Sequence, residues 1–195
     1  MLFNPIDVKD EIYSPDKGKS GKIELSSADA SVLAHTNSKV TDVFKDFSLY
    51  KTTHYVSAGL WSMLELTEFI VSKIGPCHLT MATWSMSQAN AVRLITLLET
   101  RNLLSLKGVL DFRTKNRHPE AFQLAQTIFS KLHLGSCHAK VSVLRNENHC
   151  ITISGSANYT NNPRIEAGVI TPGEQIATFH EDWISHLYNN SNPFE

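Results

Sequence analysis

His138 and Lys140 stand two residues apart in the run His138-Ala-Lys-Val-Ser-Val143, and Gly155-Ser-Ala-Asn158 closes a second run that begins Ile151-Thr-Ile-Ser154. Side chains in a strand alternate with period two, so His138, Lys140 and Ser142 share one face opposite Ala139, Val141 and Val143. In the second run Thr152, Ser154, Ser156 and Asn158 lie opposite Ile151, Ile153 and Ala157, and in a third Arg164, Glu166 and Gly168 lie opposite Ile165, Ala167 and Val169. If the three strands pair, their polar faces form one surface that holds an imidazole, an ammonium, a hydroxyl, a carboxamide and a carboxylate. Such a group can attack and hold a phosphodiester. His138 serves as nucleophile or proton shuttle, and Lys140 and Asn158 hold the non-bridging oxygens. Ser156 supplies the hydroxyl, and Glu166 orients the imidazole by accepting its other ring proton.

The charge is distributed in favour of such a ligand. The 195 residues carry 18 Lys/Arg against 19 Asp/Glu, a formal charge of −1. Residues 93–145 nevertheless hold nine Lys/Arg against three Asp/Glu, and residues 146–195 hold one against six. Arg113, Lys115, Arg117 and His118 crowd into one expected loop, where a local positive field draws in phosphate. Arg113, Lys115, Arg117 and Arg164 are the candidate substrate-binding cations. The basic block favours nucleic acid as the partner, although no aromatic-plus-basic stripe that would track a single strand shows in the sequence.

Other chemistries find less support. Of the nine histidines, His133 and His138 are five apart with no Cys pair nearby, and His180 and His186 fall on different faces of a helix, so neither a metal nor a cofactor is expected. His54 and His78 read as structural. Cys77, Cys137 and Cys150 are odd in number and far apart, which suits reduced thiols packed in a core. Apolar stretches such as Phe69-Ile-Val71 break at Ser72 and Lys73, far short of the roughly 20 residues a membrane helix needs. Met1–Pro5 lacks the basic flank and apolar run of a secretory signal, so a cytoplasmic protein is expected. At 42% hydrophobic and 19% charged residues the chain is a folder, and its length suits one domain.

The elements that must carry these residues follow from periodicity. Residues 1–50 form a weakly specified N-terminal arm, with short alternating pieces such as Lys22-Ile-Glu-Leu25, and 51–195 form the domain. Leu60, Met63, Leu64, Thr67, Ile70, Val71 and Ile74 recur at helical spacing and Gly75-Pro76 stops them, which predicts a helix over about 59–74. A buried strand over Cys77–Trp84 precedes a helix capped by Ser87, with Ala91, Leu94, Ile95 and Leu98 inward. A second apolar strand spans Leu106–Phe112, and His118-Pro-Glu120 opens a helix carrying Phe122, Ala125, Ile128 and Phe129. Strands at about 138–144, 150–158 and 164–170 pair antiparallel, and a helix built on Ile176, Phe179, Trp183 and Leu187 closes the chain. The fold class is α/β, a mixed sheet flanked by helices.

His138-Ala-Lys140 followed by Gly155-Ser-Ala-Asn158 resembles the phosphodiesterase motif of the phospholipase D superfamily, with His-x-Lys on one strand and Gly-Ser-x-Asn on the next. Asn161-Asn-Pro-Arg-Ile-Glu166 is similar to the acidic follow-up in its single-motif bacterial and phage-type members. The similarity covers roughly 54–188 in layout and is specific over 137–170. Two departures stand out: the family places an Asp five residues after the Lys, where this chain has Arg145, and the gap from Lys140 to Gly155 is longer than usual. The resemblance implies a phospholipase D-like half-fold and metal-independent phosphodiester hydrolysis through a phosphohistidine. A nuclease leads, with a non-catalytic nucleic-acid-binding module and a phospholipid hydrolase as alternatives. Because the chemistry uses two motif copies and this chain has one, a homodimer is implied, with His138, Lys140 and Asn158 of both subunits meeting across a two-fold axis.

Overall fold

The computed structural model describes residues 20–24, 30–34 and 39–190, so most of the expected N-terminal arm lies outside the described residues. What is described is a mixed α/β fold. Strands β1 (Ser20–Glu24) and β2 (Ala30–Ala34) form a hairpin at one edge, joined by β3 (Thr53–Ser57). Next come β4 (Cys77–Thr83), β5 (Leu103–Asp111), β6 (Lys131–Gly135), β7 (Val141–Arg145), β8 (Cys150–Gly155) and β9 (Glu166–Pro172). All belong to one sheet in the order β2-β1-β3-β9-β8-β7-β4-β5-β6. The strands β4, β5 and β6 run parallel, and every other pairing is antiparallel, including β7 with β8 and β8 with β9 as expected.

Local signals fix the helices. Helix α1 spans Val40–Val43, and α2 spans Met63–Ile74. In α2 Ser62 accepts from Leu64 N and Glu65 accepts from Ser62 N, while Gly75 at φ 78° ends the helix in a conformation that favours glycine. Helix α3 (Gln88–Glu99) starts at Ser87, whose hydroxyl accepts from Asn90 N, and a four-residue α4 (Thr114–Arg117) leads into α5 (Pro119–Ile128), with Pro119 at its first position. Helix α6 spans Glu174–Asn190.

The sheet is covered on both sides. Leu79, Met81, Leu106, Leu110, Leu144, Ile151, Ile153 and Ile170 pack with α1, α2, α3 and α5 in the main core. Ala82, Val109, Val141 and Val143 meet α6 through Ala177, Trp183 and Ile184 on the other side. Just ahead of the expected domain start, Val40, Val43 and Phe44 are buried in the main core, where the Phe44 ring touches Phe47, Tyr55, Trp61 and Phe69.

Two expectations about the late strands are corrected here. The strand expected at 138–144 begins at Val141, so His138 and Lys140 precede it, and the strand expected at 150–158 ends at Gly155, so Ser156 and Asn158 follow it. The polar faces also do not align into one surface. Ser142 stands opposite Ile153 and Val141 opposite Ser154, which places Ser142 on the α2 side and Ser154 on the α6 side. Directly paired residues share a face, and the observed register differs by one residue from the one that would unite the polar sets. On the third strand the pattern is inverted, with Glu166 buried and Ile165 64% exposed.

Candidate active site

The candidate residues converge at one end of the sheet, where the parallel strands deliver their carboxyl ends, the usual place for a site in an open α/β sheet. There β4 ends at Thr83 with Trp84 next, β5 ends at Asp111 with Phe112 and Arg113 next, and β6 leads through Gly135 to His138. The antiparallel strands add their own ends: β7 starts after Lys140, β8 stops at Gly155 and β9 starts at Glu166. Gly155 N donates to Lys140 O at 3.2 Å, which ties the two halves of the motif together.

Trp84 is the hub. Its ring lies 5.6 Å from the His138 ring, and the charged ends of Lys140, Arg113 and Arg117 sit 5.9, 5.6 and 5.3 Å from its centroid. An indole face attracts cations, so one aromatic plate gathers three positive side chains beside an imidazole. Lys140 is only 8% exposed. Its ammonium donates to His138 O at 2.7 Å and lies 3.2 Å from His138 Nδ1. Burial pulls the Lys140 ammonium below its usual value, against the raising influence of Cys137 and Glu166. His138 itself is exposed.

The remaining cations divide. Arg113 donates to the buried Asp111 through Nε at 2.6 Å and a terminal nitrogen at 3.0 Å. The hydrogen bond from Arg113, with help from the Cys137 and Arg113 amides, holds the Asp111 carboxyl down at about 2. Arg113 is therefore a paired cation that braces two rings, Trp84 and, at 5.5 Å, Phe112. Lys115 and Arg164 are exposed on α4 and on the loop before β9, and neither takes part in the cluster around Trp84. Of the wider basic block, Arg93 is bound to Glu65 and Glu68.

The Gly155–Asn158 turn is held by its own residues. Ser156 Oγ donates to Glu166 and accepts from Ala167 N at 3.0 Å, so this hydroxyl links the end of β8 to the start of β9. Asn158 O accepts from Met63 N, and its Oδ1 accepts from Thr83 Oγ1 at 3.4 Å, which leaves the amide NH₂ without a partner among the described residues. Tyr159 is fully buried, its hydroxyl shared with Thr67 and Ser142 at 2.9 and 2.7 Å, and it pins the turn to the core. No protein-family model matches this chain, and no curated protein matches it.

Glu166 does not occupy the expected position. Its carboxylate accepts from Ser156 and, at 3.4 Å, from Asn162 Nδ2, whereas Nδ1 of His138 faces Lys140. The phenol of Tyr55 lies close enough to feel the Glu166 charge. Burial first and that charge second push the Tyr55 hydroxyl up. A Cβ on Gly168 would collide with this hydroxyl, and one on Gly155 would fall 2.6 Å from the carbonyl oxygen of Ala167, so both positions require glycine for the close approach.

Among the described residues no group of three or more His, Cys, Asp or Glu side chains is placed to hold a metal ion, and no helix is long and apolar enough to cross a membrane. Reasoning from sequence missed Trp84 and Asp111. The signal available for Asp111 was an acid closing the apolar run Leu106–Leu110 with an arginine two residues on. For Trp84 it was a large aromatic at the carboxyl end of a buried strand.

Arg145 is at the far end of β7 from Lys140. It donates to Glu181 at 2.7 to 3.1 Å and to Glu174 at 2.7 Å, and so fastens α6 to the sheet. Arg145→Met is expected to lower unfolding stability modestly, by about 1 kcal/mol at most, through loss of the partly screened bonds to Glu181, measured by urea denaturation.

Proposed function

We propose that this chain is a metal-independent phosphodiesterase of phospholipase D type that acts on nucleic acid. The observation that carries this is the gathering of His138, Lys140 and Arg117 around the Trp84 ring, beside the open Asn158 amide. Lys140 keeps donors beyond the one given to His138 O, and with Asn158 Nδ2 and Arg117 it can hold the non-bridging oxygens as charge develops on them. An imidazole nitrogen of His138 attacks phosphorus, the bond to the leaving oxygen breaks, and that oxygen takes a proton from His138 of a second subunit. Water then attacks the phosphohistidine, giving its proton back to the same second histidine, and His138 is regenerated. Ser156 and Glu166 hold the Gly155–Asn158 turn in place for these steps.

The two-subunit scheme calls for a homodimer of a half-fold. Leu60 and Ile165, 45% and 64% exposed, offer an apolar rim at this end of the molecule for the second copy. The free thiols Cys77, Cys137 and Cys150 suit a reducing, cytoplasmic compartment. The test is steady hydrolysis of bis(p-nitrophenyl) phosphate in excess EDTA by a protein that light scattering finds dimeric. A protein that stays monomeric at micromolar concentration would contradict the scheme. A second possibility, a nucleic-acid-binding module without turnover, is favoured by one feature: the His138 ring lacks a carboxylate partner among the described residues. Salt-sensitive DNA binding with no product would select it.

A further inference from the structure

The cluster continues past the phosphate-binding residues onto a second ring. Phe112 is 52% exposed and follows directly on β5. Its N–H donates to Gly135 O at 2.9 Å, which locks the backbone that carries the ring to the end of β6. The Arg113 guanidinium lies 5.5 Å from the Phe112 centroid and 5.6 Å from that of Trp84, and Asp111 holds it from two sides. Rings and cations therefore alternate along a short track: Phe112, Arg113, Trp84, then Lys140 and Arg117 over the indole, with His138 beside it. No such stripe is visible in the sequence, because Trp84, Phe112 and Lys140 come from three different strand ends.

We infer that the substrate is a single-stranded nucleic acid, with a base next to the scissile phosphate stacked on Phe112 while Lys140 and Arg117 hold the phosphates. The inference rests on the assignment of His138 and Lys140 as the phosphate site. An exposed aromatic ring stiffened by a paired arginine has a partner in the flat face of an unpaired base, and such stacking tolerates any sequence. A base in a duplex is already stacked on its neighbours and is not available to such a ring. A lipid diester supplies the phosphate but no flat ring. Because Asp111 neutralises Arg113, that residue's part is to hold the two rings in line rather than to attract the strand.

The test is fluorescence anisotropy with three labelled probes: an oligothymidylate, an abasic counterpart of equal phosphate count, and the same oligothymidylate annealed to oligoadenylate as a duplex. It is run with the full chain in EDTA and repeated in His138→Asn so that cleavage of the probe plays no part. The wild type is expected to bind the thymidylate about tenfold more tightly than the abasic strand. Phe112→Ala should bring that ratio close to one, and Phe112→Trp should keep it. Equal affinities for the thymidylate and abasic probes, an undiminished ratio in Phe112→Ala, or a duplex bound as tightly as the single strand would each overturn the inference. Hydrolysis of bis(p-nitrophenyl) phosphate, which has no base, reports the proposed activity separately. Base preference without hydrolysis would sink the phosphodiesterase and leave the strand assignment standing, and hydrolysis without base preference would do the reverse.

Discussion

His138→Asn is expected to reduce EDTA-resistant phosphodiester hydrolysis by about a thousandfold or more, because in the proposed mechanism it removes the group that attacks phosphorus and the one that protonates the leaving oxygen. In a dimer both roles fall to the same residue number, so one substitution deletes both. The fold should be indifferent to it. His138 is exposed on the loop before β7, and its backbone carbonyl, which receives the Lys140 ammonium, is kept in the variant. A thermal midpoint equal to wild type, together with lost activity, is the expected pair of results. Activity that survives the substitution would remove His138 from the chemistry.

Lys140→Met is expected to cost about a hundredfold to a thousandfold in kcat, the range found when one preorganised donor is taken from a developing charge. Its stability effect has the opposite sense. Burial holds the Lys140 ammonium below its usual value, so the folded state disfavours the charged form that the unfolded chain carries freely. A methionine fills similar space without that cost. The variant's stability should therefore equal or exceed wild type near neutral pH. The excess should shrink as the pH rises through the lowered folded value and vanish above the unfolded lysine value of about 10.4, where the wild-type lysine is neutral in both states. Urea melts at two pH values read this directly, and a variant destabilised at neutral pH would show that the ammonium's bonds to His138 outweigh its burial.

Much of this framework is legible residue by residue. Gly75-Pro76, Ser87 and Pro119 mark helix ends through local chemistry, and the structure places those ends there, whereas the helix expected from about 59 starts at Met63 after the Ser62 cap. The antiparallel pairing of β7, β8 and β9 follows from three strands with no helix between them. Strand β3 is invisible to hydropathy because the residues it turns inward are Thr53, Tyr55 and Ser57. Strand β6 lies at the sheet edge, only partly buried, with Lys131 and His133 in it. The position of Phe44 in the core depends on partners that lie 11 to 25 residues further along the chain.

The site illustrates the same division. His138, Lys140 and Asn158 can be found as types at a spacing, but the surface that unites them cannot. Alternation gives each strand two faces and says nothing about which residue of a neighbouring strand lies opposite. With Ser142 opposite Ile153, the polar sets separate, and the site is assembled from strand ends. The same limit hid Trp84, which gathers the cations, and the partners of Glu166, which are Ser156 and Asn162 and not the imidazole. Arg145 shows the converse, since its partners Glu174 and Glu181 come from α6, 29 and 36 residues further along the chain.

The most direct measurement is to trap the intermediate. A dinucleotide labelled at its phosphorus is mixed with wild-type protein in excess EDTA, quenched in alkali during turnover and separated from free label. The mechanism predicts protein-bound phosphorus that survives alkali, is released by acid and is absent from His138→Asn. Hydrolysis that proceeds in EDTA with no label on the protein, or label that persists in His138→Asn, would contradict it.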